Sequence, residues 1–173
     1  MQTMAGPLYI ASLLLVVAGA PKLARPDETA RGLRSVGLPG SPLLVRLLAV
    51  AEITIGTYTL LYGGRLGALL VAVVYFGFAG FVGYALAKGG VVASCGCFGR
   101  DDTPPTWAHL ILNLAAAAVA LGAVAAPVTG IVDAVAEDPL AGLVLVGFVA
   151  IGTWFAYLVL NVLPTVIPVR AET

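Results

Sequence analysis

The sequence predicts an all-α protein, a polytopic bundle of transmembrane helices. Hydrophobic residues make up 60% of the 173 residues and charged residues only 10%, a composition that ordinary soluble domains do not have. The apolar residues also fall into five runs, each near the length of about 20 residues that crosses a bilayer. Little sequence remains for a soluble domain. We therefore expect one integral membrane domain over residues 1–173, in a multi-pass protein of the cell membrane.

The five predicted crossings cover about residues 7–23, 42–62, 66–87, 107–126 and 140–163. The first is short, and we expect Lys22 to snorkel toward the membrane surface at its end. A signal peptide is the alternative interpretation of this segment. No positive region precedes it and Pro21 follows it at once, so we expect it to remain as a helix.

A short interfacial helix is predicted after the first crossing, at about residues 26–36. Pro26, followed by two acidic residues, is typical of a helix start. Ala30, Leu33 and Val36 recur at helical spacing. This segment is predicted to lie on the membrane surface.

Turn residues and caps separate the remaining helices. The Gly63-Gly64 pair predicts a tight turn between the second and third crossings. Thr106 is a suitable N-cap for the fourth, and Trp107 a suitable interfacial anchor. An acidic link, Asp133 to Asp138, precedes the fifth crossing. A cysteine-containing loop fills residues 88–106.

Cys95 and Cys97 are the only two cysteines, and Gly96 lies between them. A disulfide requires the two Cα atoms within about 7 Å, and the glycine makes such a turn accessible. A bond between residues two apart constrains the unfolded chain very little, so a stabilising role is weak and a reversible redox role fits better. Structural thiols and a metal site remain the alternatives. We expect no metal site, because no cluster of His or Met completes a ligand shell.

Two groups near the cysteines could favour a thiolate. Arg100 follows Cys97 by three residues, and His109 lies in the first turn of the fourth crossing, where a helix N-terminus favours negative charge. His109 is also interpreted as an ordinary interfacial residue. We expect these two residues to support the catalytic pair Cys95 and Cys97.

Glu52 lies near the middle of the second crossing, where an acid is costly and needs a partner. One interpretation is a proton carrier or a polar contact for a quinone head group. The other is a structural contact, with candidate partners Lys22, Arg46, Thr54 and Asn113.

Several short motifs resemble the methylamine utilisation protein MauE family, which is related to DoxX-like membrane proteins. They are Gly19-Ala20-Pro21-Lys22-Leu23, Ala51-Glu52-Ile53-Thr54-Ile55-Gly56, Cys95-Gly96-Cys97-Phe98-Gly99 and Leu112-Asn113-Leu114. The resemblance covers about residues 5 to 125, and it implies a four-helix DoxX-like core to which this chain adds a fifth, C-terminal helix. Cys95 and Cys97 carry over by motif, whereas Lys22 and Glu52 carry over without a role.

The resemblance implies disulfide formation or transfer in extracytoplasmic proteins, often beside a thioredoxin-like partner. It does not by itself imply methylamine metabolism. We therefore expect a thiol-disulfide oxidoreductase in the lipid bilayer that acts on a thioredoxin-like or disulfide-bearing client. A quinone is one candidate cofactor, and a membrane complex or homo-oligomer one candidate assembly. No excess of basic charge predicts nucleic-acid binding, since the chain has nine basic and nine acidic residues.

The charge distribution points to a different side of the membrane. Eight basic residues fall on the cysteine side of the predicted topology: Lys22, Arg25, Arg31, Arg34, Arg46, Lys88, Arg100 and Arg170. Only Arg65 falls on the other side. The positive-inside rule therefore predicts a cytoplasmic cysteine loop, whereas the resemblance implies an extracytoplasmic one.

Two other functions remain open. A non-catalytic assembly or scaffold subunit of a membrane oxidoreductase would use the thiols only to brace a loop. A transporter would need more intramembrane polar residues than Glu52, Asn113 and Asn161, so it ranks third.

Overall fold

The computed structural model describes residues 4–88 and 105–162. Over these ranges the elements are α1 (Ala5–Ala24), α2 (Pro26–Ser35), α3 (Pro42–Tyr62), α4 (Gly64–Ala87), α5 (Trp107–Ala125), α6 (Ile131–Glu137) and α7 (Pro139–Asn161). Five of them, α1, α3, α4, α5 and α7, are long and apolar enough to span a membrane. The predicted all-α bundle with five crossings is confirmed, and the protein is a multi-pass membrane protein.

The helix bounds differ from the sequence prediction mainly at one place. The predicted acidic link contains a helix, α6, of seven residues. It is too short for hydropathy to reveal, and it forms where it packs against α7 and α3. Gly142 of α7 allows this contact, because a Cβ there would lie 2.6 Å from the Cα of Val135.

The bundle is organised around α1, which contacts α2, α3, α4, α5 and α7. Leu8, Tyr9 and Leu15 of α1 are each at most 1% exposed. Helices α1 and α3 form one closely packed pair, and α4 and α5 form the other. Helix α7 packs on α1 at the side of these two pairs.

The Gly63-Gly64 turn lies at one end of the bundle, called here the α3–α4 end. Gly63 has a φ of 64° and Gly64 a φ of 81°, backbone conformations that favour glycine. The segment before α6 crosses this turn, where the Gly64 amide donates to the Val128 carbonyl at 2.8 Å. Tyr9 donates from its hydroxyl to the Thr129 carbonyl at 2.7 Å. The predicted tight turn is therefore also a docking point for the chain that leads into α6.

The other end of the bundle, called here the α4–α5 end, is where α4 finishes at Ala87 and α5 begins at Trp107. Helix α2 also lies at this end. It buries Pro26, Thr29, Ala30 and Gly32, and it packs against α1 and α3. Arg25, beside its first turn, is 76% exposed. Helix α2 therefore has one face on the bundle and one face free for the membrane surface.

Candidate functional site

The predicted site residues divide into two groups. Lys22, Glu52 and His109 belong to the described part of the chain. Cys95, Gly96, Cys97 and Arg100 lie outside the described residues. The helices on either side of these residues in the sequence, α4 and α5, pack along each other. Helix α4 ends and α5 begins at the α4–α5 end of the bundle.

Lys22 and Glu52 form a buried ion pair between α1 and α3. The Lys22 Nζ donates to both carboxylate oxygens, at 2.7 Å to Oε1 and 2.8 Å to Oε2. The side chains of Lys22 and Glu52 are 2% and 0% exposed. Of the four partners considered for Glu52, the structure pairs it with Lys22. The expectation that Lys22 snorkels to the surface is wrong, because the carboxylate inside the bundle supplies a partner that an isolated helix would lack.

The backbone around this pair favours a close approach of α1 and α3. A Cβ on Gly19 would lie 2.9 Å from the Ala49 carbonyl oxygen, so only glycine fits there without movement. Pro21 lies inside α1 directly before Lys22 and removes one backbone hydrogen bond from that turn. The ion pair therefore connects α3 to the turn of α1 that lacks one backbone hydrogen bond.

Two aromatic residues of α4 complete the surroundings of the pair. The ring centroid of Phe78 lies 4.8 Å from the Lys22 Nζ, within the range of a cation–π contact. Tyr75, one turn earlier, is 4% exposed and donates from its hydroxyl to the Ala11 carbonyl at 2.7 Å. Tyr75 is also close enough to Glu52 for an electrostatic interaction.

A buried ion pair in this setting is expensive to form and expensive to break. Removing either partner leaves an uncompensated charge away from water, which costs about 3–5 kcal/mol in soluble proteins. Intramembrane charges are by default candidates for function because of that cost. The pair of Lys22 and Glu52 is thus the strongest candidate site among the described residues.

His109 lies at the α4–α5 end and is 2% exposed. Its Nδ1 is 2.8 Å from the Thr106 hydroxyl oxygen, and the ring also bonds the backbone of Leu160. The Leu160 carbonyl lies in the last turn of α7, where carbonyls lack a partner within the helix. His109 therefore joins the start of α5 to the end of α7.

A cavity of about 20 Å³ lies between α1, α4, α5 and α7. Tyr75, His109 and Asn113 are the polar residues of its wall, and Phe78 is its aromatic residue beside Tyr75. The rest of the wall is apolar: Leu14, Leu15, Ala18 and Leu160. This volume accommodates one water molecule and is too small for a quinone ring. Among the described residues, no group of three or more His, Cys, Asp or Glu residues could hold a metal ion.

The family model described as methylamine utilisation protein MauE matches residues 3–126, more than half of the chain. The chain belongs to the MauE family. No curated protein and no solved structure matches the chain. The resemblance inferred from the short motifs is confirmed.

The MauE match covers α1 to α5 and ends before α6. Lys22, Glu52, Tyr75, Phe78 and His109 all fall inside the matched range. The range also includes the two cysteines. Helices α6 and α7 lie outside the matched range, although α7 supplies Leu160 to the cavity wall.

The sequence analysis missed Tyr75 and Phe78. Their spacing of three residues places both on one face of a helix, and a tyrosine near the middle of a membrane-spanning run needs a hydrogen-bond partner. That signal identifies a buried polar face on α4. It does not identify which helix the face meets, and this information comes only from the packing.

Proposed function

We propose that this MauE-family protein transfers electrons or disulfides between its own dithiol and a client protein in or beside the membrane. Cys95-Gly96-Cys97 is the observation that carries the proposal, because the chain has no other cysteine and adjacent thiols are suited to reversible disulfide chemistry. The family match supports it, since the matched range includes the motif. Methylamine utilisation, named in the family description, is then one process that such a client would serve.

The reaction is a pair of thiol–disulfide exchanges. One cysteine thiolate attacks a client disulfide, forming a mixed disulfide and releasing one client thiolate. The second cysteine then attacks the sulfur of the first cysteine in this mixed disulfide. A bond closes between Cys95 and Cys97, and the second client thiol is released. Two electrons and two protons pass to the client, and the reverse sequence oxidises a client dithiol. A second redox partner, a thioredoxin-like protein or a quinone, must restore the starting state.

The described helices offer support for the motif rather than a second reactive group. Helices α4 and α5, which flank the cysteine-containing segment, pack along each other, and His109 ties the start of α5 to the end of α7. Arg100 and His109 remain candidate groups for stabilising a thiolate.

The trapping of a client tests the proposal directly. We expect Cys95→Ser or Cys97→Ser to accumulate a mixed disulfide with a client, because the resolving thiol is missing. The double variant Cys95→Ser with Cys97→Ser is the matched control and forms no adduct. Adducts would be isolated from membranes under non-reducing conditions and dissociated by a reductant. Absence of an adduct from both single variants would contradict the proposal.

The scaffold alternative makes a different prediction for the double variant. If the thiols only brace a loop, the double variant would lose assembly or accumulation in the membrane. If they carry electrons, it accumulates normally and loses only client oxidation or reduction. Measuring membrane abundance beside the redox state of the client separates the two functions.

The sidedness of the dithiol needs its own experiment. Arg25, Arg31, Arg34, Arg46 and Lys88 belong to the α4–α5 end, whereas Asp133, Glu137 and Asp138 belong to the other end. This distribution supports a cytoplasmic α4–α5 end. A membrane-impermeant thiol reagent on intact, reduced cells would then label the cysteines only after lysis. Labelling before lysis would instead favour the extracytoplasmic side that the resemblance implies.

A further inference from the structure

The Lys22 ammonium is held by one carboxylate and one aromatic ring in the observed conformation. An ammonium has three N–H donors, and Lys22 directs two of its hydrogen bonds to the two oxygens of Glu52. The Phe78 ring lies 4.8 Å from the same nitrogen, so its π-face takes part of the remaining positive charge. Both carboxylate oxygens are therefore paired within the protein, and the Phe78 ring covers the ammonium.

Phe78 has a second neighbour, the water-sized cavity. Its side chain is part of the cavity wall and also contacts the Lys22 ammonium. One aromatic ring thus contacts a buried charge and a space of about 20 Å³. The cavity wall includes three polar residues, Tyr75, His109 and Asn113, and its volume is that of a single water. A change in the Phe78 rotamer would open the way from that water to the ion pair.

We propose that Glu52 is a proton-binding site inside the membrane and that Phe78 is the gate controlling its access to water. When the gate opens, the cavity water reaches the pair and the Glu52 carboxylate accepts a proton, becoming a neutral carboxylic acid. The Lys22 ammonium keeps its charge and exchanges its carboxylate partner for the water oxygen. The pair gains one unit of positive charge, which leaves again when the proton is returned and the gate closes.

The cavity explains how the protonated state is tolerated. An ammonium that loses its carboxylate partner inside a membrane needs another acceptor, and the Phe78 ring alone is a weak substitute for a hydrogen bond. The cavity water supplies that acceptor beside the ring. A buried ion pair without adjacent space for water would lack this second state.

Few other titratable groups face the pair. Lys22 comes from α1, Tyr75 from α4 interacts with Glu52, and His109 from α5 lies across the cavity. On α2, which packs against α3, Glu28 is 4.0 Å from the exposed Arg25. Among the described membrane-spanning helices, Glu52 is the only acidic residue. A chemical probe for protonated acids within the membrane therefore has one target in that part of the chain.

A hydrophobic carbodiimide tests the proposal, because it activates carboxylic acids in their protonated form within membranes. The activated Glu52 either rearranges to a stable acylurea or, once the Lys22 ammonium has released a proton to water, is attacked by the neutral amine, which gives an amide and releases the urea. Mass spectrometry of the Glu52 peptide measures both products. We expect the labelling rate to rise as the pH falls and to rise about tenfold in Phe78→Ala, from the loss of the gating contact.

Phe76→Ala is the matched control, since Phe76 lies on the same helix and is 46% exposed. It should label at the wild-type rate. Phe78→Leu, which retains most of the side-chain volume, gives an intermediate rate if Phe78→Ala proves unstable. Equal rates in the Phe78 and Phe76 variants, or no labelling of Glu52 at any pH, would overturn the proposal. The experiment does not depend on the dithiol, and the Cys95→Ser with Cys97→Ser variant should give the same labelling.

Discussion

The contact between α1 and α3 differs in kind from the contact between α1 and α7. Helices α1 and α3 approach through glycine and share a buried ion pair, at Gly19, Gly56 and the pair of Lys22 and Glu52. Helix α7 instead meets α1 through side chains, with Gly152 of α7 against the Ile10 side chain and Gly6 of α1 against the Phe148 ring. The other face of α7 carries exposed apolar side chains, with Trp154 60% and Phe155 61% exposed. The α1–α3 contact is specified by close approach to backbone oxygens and by charge, whereas at the α1–α7 contact these glycines meet only apolar side chains.

The difference shows what specifies packing in a membrane. Lipid tails contact an apolar side chain as well as a neighbouring helix does, so apolar area alone favours association weakly. Close backbone approach and polar contacts have no lipid equivalent. The α1–α3 contact has both features and lies inside the family match, whereas α7 lies beyond the end of that match at residue 126.

Of the changes that test this difference between the two contacts, breaking the ion pair should lower the free energy of unfolding most. We expect Glu52→Gln to lower the free energy of unfolding in detergent micelles by about 3–5 kcal/mol, because the buried Lys22 charge loses its counter-ion. Glu28→Gln is the matched control, since Glu28 pairs at 4.0 Å with an exposed Arg25, and it should change stability by less than about 1 kcal/mol. Replacing both partners, Lys22→Met with Glu52→Met, should recover most of the loss. Equal effects of the two single Glu→Gln variants would refute the assignment.

Adding a side chain at Gly56, where α1 and α3 approach closely, should have the next largest effect on the free energy of unfolding. A Cβ there would lie 2.5 Å from the Ser12 carbonyl oxygen, so Gly56→Ala forces the two backbones apart and costs about 1–3 kcal/mol. In α7, Gly147 has nothing within 4 Å of the added Cβ. Gly147→Ala should be neutral or stabilise the helix by up to about 1 kcal/mol. Unfolding measurements on both variants check the contrast, and a loss at Gly147 as large as at Gly56 would contradict it.

The membrane-spanning helices were predictable from sequence because length and hydropathy determine them. The predicted second crossing has the bounds of α3, and the other four differ from the observed helices by a few residues at either end. The surface helix α2 was predictable from Pro26 and the acids after it. Helix α6 was not, because seven residues carry too little pattern and depend on tertiary contacts.

The candidate site was predictable only in part. Glu52 was identifiable because an intramembrane acid is rare, and Lys22 was one of its four candidate partners. The burial of Lys22 was not predictable, since a lysine near a helix end ordinarily extends to the surface. The cavity and the role of Phe78 depend on how four helices meet, which no local pattern contains. The dithiol stays a prediction, because Cys95 and Cys97 lie outside the described residues.

Tyr75→Phe should have a smaller effect than either change at the α1–α3 contact. It removes one hydrogen bond, from the Tyr75 hydroxyl to the Ala11 carbonyl, and retains the ring. We expect a loss of about 0.5–1.5 kcal/mol in the free energy of unfolding. Tyr84, 43% exposed on the same helix, is the control, and Tyr84→Phe should leave stability unchanged. A loss above that of Gly56→Ala would indicate that Tyr75 also stabilises the ion pair.

Phe155→Ala should have the smallest effect of these changes. Phe155 is 61% exposed, and in a bilayer acyl chains fill the space that its ring leaves, so the unfolding free energy should change by no more than about 0.5 kcal/mol. Leu15→Ala is the buried comparison at 1% exposure, with an expected loss of about 2–5 kcal/mol. A loss at Phe155 that grows with protein concentration would instead mean that a second copy covers this face of α7. In that case the exposed face of α7 would pack against protein rather than lipid. The difference between the α1–α3 and α1–α7 contacts would then apply only to the monomer.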